Sequence, residues 1–206
     1  MRTTLSLFMV LAVCTACTPD HDEPAEPTPT DQTAETDLPP AGAADTPQAE
    51  AVATPEPHDA AALATVMPTE GNAVTGTVRM RETSDGVVVE TELSGLPPGS
   101  THGMHIHETG DCSASDGTSA GGHYNPEGVQ HGLPSVDEPR HAGDLGNVTA
   151  DAEGRVSSSQ TFEGFSLDGT DAVVGRAVIL HAERDTGAQP SGGAGDRIGC
   201  GVIQAS

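Results

Sequence analysis

The sequence predicts an all-β fold, a sandwich or barrel of seven or eight short strands, within residues 61–206. Three observations predict it: short runs in which apolar and polar residues alternate, Gly-rich turn signals between them, and no window with a capped helical period. The strand-like runs are 72–81, 87–93, 103–107, 145–150, 156–162, 172–181 and 198–203.

Turn signals separate these runs in order along the chain. Ser84-Asp-Gly86 divides the first two runs, and Leu96-Pro-Pro-Gly99 follows the second. Asp151-Ala-Glu-Gly154 is a turn of the hairpin type between two later runs. The stretches 108–144 and 182–197 are too long for simple turns, and long loops in a compact β domain usually carry function.

The first sixteen residues have the pattern of a signal peptide. Arg2 precedes a short apolar run, Leu5 to Val13, which is too short to span a bilayer. Ala16 directly before Cys17 resembles the lipobox of bacterial lipoproteins, which implies an acylated Cys17 and a membrane anchor. Plain secretion after cleavage near Ala16 is the alternative. Both predict an exported protein, periplasmic or held at the cell envelope.

Residues 17–60 are predicted to be a disordered tether that begins at Cys17. Positions 18–60 hold 9 Pro, 11 acidic residues and no basic or aromatic residue. No hydrophobic period is present that could offset chain entropy. Three regions follow: a signal peptide over 1–16, a tether over 17–60 and a folded domain over 61–206.

Charge excludes some classes of partner. The chain has 8 Arg, no Lys and 31 acidic residues, for a formal net charge of −23. The folded part keeps 20 acidic residues and 7 Arg, or −13. Nucleic-acid phosphates need a basic patch, so no nucleic-acid partner is expected.

Histidines mark the candidate site. Seven of the nine lie between positions 102 and 181. His105 and His107 have the period of a strand, so both imidazoles should face one side. Imidazoles are preferred ligands of copper and zinc, and an added carboxylate suits zinc. Six histidines and one aspartate in this context predict two adjacent metal sites: His105, His107, His123, His131, His141, Asp144 and His181.

Five motifs resemble those of the Cu,Zn superoxide dismutases, in the family's order. They are Gly103-Met-His-Ile-His107, Gly122-His-Tyr-Asn-Pro126, Arg140-His-Ala-Gly-Asp-Leu-Gly-Asn147, Gly175-Arg-Ala-Val-Ile-Leu-His181 and Gly195-Asp-Arg-Ile-Gly-Cys-Gly-Val-Ile203. The resemblance covers about 70–206. It implies an eight-stranded Greek-key β-barrel with one copper and one zinc ion, acting on superoxide.

The resemblance also implies ligand roles, position by position. Copper ligands are His105, His107, His123 and His181. Zinc ligands are His123, His131, His141 and Asp144, so that His123 bridges the metals. Asp185 matches the family's aspartate, whose carboxylate joins ligands of the two sites by hydrogen bonds. His102 matches no ligand position and is interpreted as an ordinary turn residue.

Two further features concern the candidate site, one implied by the resemblance and one by the cysteine count. Arg197 matches the arginine above the copper, where a forked cation can attract a small anion. Cys112 and Cys200, the only cysteines of the folded part, are expected to form a disulfide in an exported protein. The segment from His181 to Arg197 has no Lys and only Arg184 as an additional cation, so fast electrostatic steering is not expected from it.

Two function hypotheses remain from the sequence. One is a superoxide dismutase, a monomer or homodimer that protects the cell envelope. The alternative is a non-enzymatic copper- and zinc-binding domain of the same fold. The full ligand set together with Asp185 and Arg197 favours the enzyme.

Overall fold

This computed structural model describes residues 61–206 of the chain. These residues contain eight antiparallel strands. The strands are β1 (Ala61–Pro68), β2 (Thr75–Thr83), β3 (Gly86–Ser94), β4 (Thr101–His107), β5 (Asp144–Thr149), β6 (Val156–Phe162), β7 (Ala177–His181) and β8 (Arg197–Ala205). A single 3-10 turn, Thr118–Ala120, accompanies them in the described part. The predicted signal peptide, Cys17 and tether lie outside these residues.

The strand order shows a Greek-key barrel. It runs β5-β4-β7-β8-β1-β2-β3-β6, so β4 pairs with β7 and β3 with β6 although neither pair is consecutive. The edge strands β5 and β6 lie against each other, which curls the sheet into a nearly closed barrel. Within 61–206, no helix has the length and apolar character needed to cross a membrane. The predicted all-β, eight-stranded class is confirmed.

Two strands are buried on both faces, which locates the site. Met104 and Ile106 of β4, and Val178 and Leu180 of β7, belong to the main hydrophobic core. The alternate residues of these strands are also buried, because the long loops 108–143 and 182–196 cover the outer face. In β7 these alternate positions form a small cluster with Ala120 and the cysteines. In β4 they are His105 and His107.

Most predicted strands and turns are found where the sequence places them. The range 172–181 shortens to β7, since Gly175 has φ +87° and interrupts the strand. The 151–154 turn lies where it was predicted, but its hairpin type is wrong, because it joins β5 to β6, the two edges of the barrel, which are not a hydrogen-bonded pair. Strand β1 was not predicted. Three alanines in its first four positions give a weak strand signal.

The interpretation of His102 as a turn residue is wrong. It lies within β4 and is only 3 % exposed. Its Nδ1 donates to the carbonyl of His181 at 2.9 Å, and its Nε2 lies 2.6 Å from Ser100 Oγ. Strand alternation puts it on the face opposite His105 and His107, so it supports the strand that ends in His181 without joining their group.

Candidate metal centre

Four imidazoles converge at the outer face of β4 and β7. The strands supply His105, His107 and His181, and the covering loop supplies His123. One nitrogen from each of the four lies within 4.8 Å of the others. The ring centroids of His105 and His123 are 4.1 Å apart, and those of His105 and His181 are 4.9 Å apart. This first group has the composition of a copper site.

A second group surrounds Asp144, at the start of β5. Asp144 Oδ1 lies 2.9 Å from His123 Nδ1 and 3.2 Å from His141 Nδ1, while Oδ2 lies 3.0 Å from His131 Nδ1. Backbone N–H groups of Gly132 and His141 donate to Oδ2 at 3.0 and 3.1 Å, which fixes the carboxylate. Three imidazole nitrogens and one carboxylate therefore meet in a zinc-like donor set.

Near Asp144, the four side chains whose donor atoms lie within 4.8 Å of one another differ by one residue from the predicted zinc ligands. They are His105, His123, His131 and Asp144, with His141 at the margin of this set. His105 enters because its ring lies close to that of His123, with centroids 4.1 Å apart and planes tilted by 30°. His141 Nδ1 still lies 3.4 Å from His123 Nδ1 and faces the same carboxylate oxygen. All seven side chains predicted to bind metal are therefore brought together.

Buried nitrogens without partners test whether the site fits metal ions. Within residues 61–206, the buried side-chain nitrogen and oxygen atoms that lack a hydrogen-bond partner are His105 Nδ1, His107 Nε2, His131 Nδ1 and His181 Nε2. The His131 atom is close to Asp144 but is not aligned to donate to it. Buried polar atoms are nearly always paired, so four unpartnered imidazole nitrogens at one place are the pattern expected of metal-binding atoms. The residues fit copper and zinc.

The opposite nitrogen of each of these rings is held by the protein. His105 Nε2 donates to Asp185 Oδ2 at 2.8 Å, and His131 Nε2 to the same carboxylate at 3.0 Å. His107 Nδ1 donates to the carbonyl of Gly121 at 2.9 Å, and His181 Nδ1 to that of Gly195 at 3.2 Å. Such bonds fix the tautomer of each ring and leave its other nitrogen free to bind a metal.

Burial keeps three imidazoles of the first group neutral, those of His105, His107 and His181. Loss of hydration lowers the pKa of His107 to about 2 and that of His181 to about 3, and nearby cationic groups add to both shifts. Burial also lowers the pKa of His105. These imidazoles therefore keep a free lone pair at neutral pH, which metal binding requires.

The second group has the opposite electrostatics. Burial disfavours the charged form of His131, but its hydrogen bond to Asp185 and the negative charge of the nearby Asp144 carboxylate prevail and raise its pKa to about 9. The hydrogen bond from His123, the charge of the nearby His131 and the backbone N–H of Gly132 outweigh burial at Asp144 and lower its pKa. The pKa of Asp185 is also lowered, since bonds from His105 and His131 outweigh its burial. Two carboxylates thus remain ionised here, ready to balance cations.

Asp185 connects the two groups and is held firmly. It is fully buried, and Asn147 bonds both its backbone N–H, at 2.8 Å, and its carbonyl, at 2.9 Å. Gly192, with φ +81°, packs against it, and a Cβ there would lie 2.3 Å from Asp185 Oδ1. Sequence reasoning included Asn147 in a motif but assigned it no role.

Gln189 is a supporting residue that sequence reasoning missed. Its Oε1 accepts the backbone N–H of His131 at 3.1 Å, and its Nε2 donates to the carbonyl of His131 at 2.8 Å. The Gln189 amide therefore joins the loop 182–196 to the loop 108–143 at His131, a candidate zinc ligand. No signal in the surrounding sequence distinguishes it from an exposed loop residue.

Arg197 lies beside the first group, at the start of β8. Its Nη1 donates to the carbonyl of Gly117 and its Nη2 to that of Gly121, both at 2.7 Å. The Gly121 carbonyl also accepts a hydrogen bond from His107. Arg197 and the candidate copper ligand His107 therefore share one acceptor. Arg197 lines a surface pocket of about 490 Å³ that it shares with Glu70, Asp116 and Asp196.

The Cys112–Cys200 disulfide is present, as predicted, and ties the loop that supplies His123 to β8. The two Cα atoms are 5.8 Å apart across a sequence separation of 88 residues. The cysteines pack against Ala120, Ala177 and Ile179. The bond therefore holds Gly117 and Gly121 close to the Arg197 side chain that they bind.

Removing this disulfide is expected to lower stability strongly. In the chain-entropy model a closed loop of this length contributes about 4 kcal/mol to the free energy of unfolding. The Cys112→Ser/Cys200→Ser double variant should therefore unfold at lower denaturant concentration than the oxidised wild type. Equilibrium urea unfolding measures this, and wild type reduced with dithiothreitol should match the variant. An unchanged midpoint in both samples would contradict the prediction.

Comparison with known proteins agrees with this geometry. Residues 74–203 match the copper/zinc superoxide dismutase (SODC) family. A superoxide dismutase [Cu-Zn] of Paramecium bursaria Chlorella virus 1 is 43% identical over 138 residues, which cover 63% of this chain and 72% of that protein. The barrel, the paired histidine groups and these matches agree, and the chain belongs to the copper/zinc superoxide dismutase family.

Proposed function

We propose that residues 61–206 are a superoxide dismutase that uses one copper and one zinc ion. The reaction converts two superoxide anions and two protons to O₂ and H₂O₂. The observation that carries this proposal is the set of four buried imidazole nitrogens without partners in the described residues, each on a ring whose other nitrogen is fixed by the protein.

Copper is assigned to His105, His107, His123 and His181. Burial lowers the pKa of three of these imidazoles, so each offers a lone pair at neutral pH. When bound, copper supplies one-electron chemistry, oxidising one superoxide to O₂ and reducing the next to H₂O₂. Four imidazole nitrogen donors suit copper.

Zinc is assigned to His123, His131, His141 and Asp144. His141 is preferred to His105 because the Nε2 of His105 is committed to Asp185 and its free Nδ1 belongs to the first group. His141 Nδ1 instead faces Asp144 Oδ1 and His123 Nδ1. Zinc has no redox chemistry, so this set serves the structure and the charge balance of the site.

His123 connects the two sets and is assigned the proton transfer. Its Nδ1 lies 2.9 Å from Asp144 Oδ1, on the zinc side, which leaves Nε2 for the first group. With copper bound, His123 Nε2 would be one of its donors, and the same atom could hold a proton for the second superoxide as it is reduced. His123 Nε2 is the atom proposed to carry it.

Arg197 is assigned the attraction of substrate in an acidic setting. The pocket beside the site carries three carboxylates, Glu70, Asp116 and Asp196, against the one guanidinium of Arg197. Exposed charges are screened beyond about 8 Å at physiological salt, so the nearest fixed cation should dominate the final approach of an anion. The two backbone carbonyls that Arg197 binds hold that cation in place.

Arg197→Ala is expected to reduce the second-order rate constant for superoxide about tenfold or more, about 1.4 kcal/mol, without loss of copper. Arg197→Lys should retain part of the rate, because charge remains while the forked geometry is lost. Pulse radiolysis across ionic strengths measures both, with metal content checked in each variant. Arg155, exposed and paired with Asp151, provides the control variant Arg155→Ala. Wild-type rates for Arg197→Ala at full copper loading would reject the assignment.

The alternative function is a copper- and zinc-binding domain without catalysis. A binding domain needs the two ligand groups but has no need of a fixed guanidinium beside them. The position of Arg197 next to His107, through the shared Gly121 carbonyl, favours the enzyme. A rate that depends on Arg197 while copper affinity does not would distinguish the two functions.

We further propose that residues 1–16 are a signal peptide, that Cys17 is acylated, and that 17–60 tether the enzyme to a bacterial membrane in the periplasm or cell envelope. The small residue Ala16 before Cys17 and the acidic, Pro-rich segment after it support this. The Cys112–Cys200 disulfide is compatible with export.

Cys17→Ser should release the protein from the membrane fraction into the soluble fraction. A serine hydroxyl removes the thiol to which lipid would attach, while the folded domain stays intact. Immunoblots of fractionated cells and mass spectrometry of the N-terminal peptide measure the change, with Cys14→Ser as the matched control. Wild-type protein found already soluble would favour plain secretion.

A further inference from the structure

Arg176 makes an unusual set of contacts in the turn just before β7. Its guanidinium carbon lies 3.7 Å from the ring centroid of Tyr124, in a cation–π arrangement. Its Nη1 donates to the carbonyl of Glu108 and its Nε to that of Ala172, both at 3.0 Å. Among the ion pairs formed within 61–206, none involves Arg176. The side chain therefore acts on an aromatic ring and on backbone carbonyls.

The contacted residues stand next to candidate copper ligands in sequence. Glu108 directly follows His107, and Tyr124 directly follows His123. The backbones here pair in strand fashion, since Tyr124 N–H donates to the Ile106 carbonyl at 2.8 Å and Glu108 N–H to the Gly122 carbonyl at 2.9 Å. One guanidinium thus spans the two segments that carry His107 and His123.

Further backbone hydrogen bonds hold both Arg176 and Tyr124 in place. The Arg176 backbone N–H donates to the Val173 carbonyl at 3.0 Å, and its carbonyl accepts from Ile203 N–H at 2.8 Å. Tyr124 is the only tyrosine of the chain and is 4 % exposed. Its carbonyl accepts from the N–H of Gly143, the residue before Asp144, at 2.9 Å. A displaced Tyr124 would therefore disturb ligands of both groups.

We propose that Arg176 is a positioning residue for the copper site, which sets the separation of His107 and His123 by clamping Glu108 and Tyr124. The inference rests on the proposed function, because it needs His107 and His123 to bind copper. Arg176 touches neither metal nor substrate in this account. Its effect passes through the two neighbouring residues, whose backbones determine where the imidazoles point.

The test compares four variants of the full chain loaded with copper and zinc. Arg176→Met and Tyr124→Leu remove the contact from either side, whereas Arg176→Lys keeps the charge and Tyr124→Phe keeps the ring. Arg155→Met removes an arginine that is exposed and distant in sequence from these segments, and it is the control. The readouts are copper affinity by competitive titration, the Cu(II) electron paramagnetic resonance spectrum at matched copper occupancy, and the melting temperature.

Arg176→Met and Tyr124→Leu should each weaken copper binding about tenfold or more, the usual effect of losing a partner that orients a metal ligand. Both should alter the Cu(II) spectrum in the same way, and combining them should add little, because they break one contact. Arg176→Lys should lie between, and Tyr124→Phe should keep the wild-type spectrum. A role in stability alone would lower the melting temperature and leave the spectrum unchanged.

Wild-type copper affinity and spectrum in Arg176→Met would overturn the inference. Should that variant fail to fold, the same result in both Arg176→Lys and Tyr124→Leu would overturn it equally. Failure of the proposed function is recognisable separately. If wild type binds no copper, both proposals fall, whereas an active, copper-loaded wild type with unaffected Arg176 variants removes only this one.

Discussion

His105→Ala is expected to abolish superoxide dismutation while the barrel stays folded and zinc stays bound. His105 is fully buried, and its Nδ1 has no partner in the described part of the chain, so its loss removes one of four candidate copper donors. Asp185 loses the bond from His105 but keeps those from His131 and from Gly187 N–H at 2.8 Å. One lost buried hydrogen bond costs about 1–3 kcal/mol, which a domain of this size should tolerate.

Metal analysis, circular dichroism and a superoxide-consumption assay on the same preparation measure this outcome. Zinc content serves as the internal control, because the second group keeps its assigned members. Substantial activity in His105→Ala at wild-type copper content would show that copper lies elsewhere. Loss of both metals with loss of the fold would show that His105 serves structure first.

Asp144→Ala is expected to remove zinc and to lower the melting temperature strongly. Zinc that binds only the folded state stabilises it by about 4 kcal/mol at a concentration one thousand times its dissociation constant. For a domain near 150 residues this corresponds to about 10 °C. The variant also leaves His131, whose pKa Asp144 helps to raise to about 9, without one of its two carboxylate partners.

Calorimetry of zinc-loaded and zinc-free samples measures the effect. Wild type without zinc should melt close to the variant, while added zinc should raise the melting temperature of wild type only. Asp168→Asn, which removes an exposed carboxylate from the loop between β6 and β7, controls for charge. A zinc-loaded Asp144→Ala protein with the wild-type melting temperature would reject the zinc assignment.

The fold class could be predicted because strand alternation and turn residues are local signals. The missed strand β1 shows the limit, since one of its two partner strands is β8, where partners such as Ala205 lie far along the chain. The position of the 151–154 turn was predicted correctly, but only the barrel topology decides that it joins two edges.

In the candidate site, too, local motifs could be predicted from the sequence, whereas contacts between distant residues could not. Its seven metal-binding candidates could be found because six of them stand in motifs that resemble one family in order, and His131 follows one of these motifs at the family's spacing. Residues that fix those candidates act across the chain through contacts that no local pattern reveals. Asn147 bonds Asp185 from 38 residues away, and Gln189 bonds His131 from 58. His102 was misread because its role depends on the neighbouring strand, where its partner is the His181 carbonyl.

The central claim is that this chain dismutates superoxide with one copper and one zinc ion per chain. Pulse radiolysis of the full chain, with copper and zinc content measured on the same sample, tests it most directly. We predict second-order decay of superoxide that accelerates in proportion to bound copper, reaches its maximum at one copper and one zinc per chain, and is absent from protein loaded with zinc alone. A fully loaded protein that does not accelerate the decay would contradict the account and favour a domain that only binds these metals.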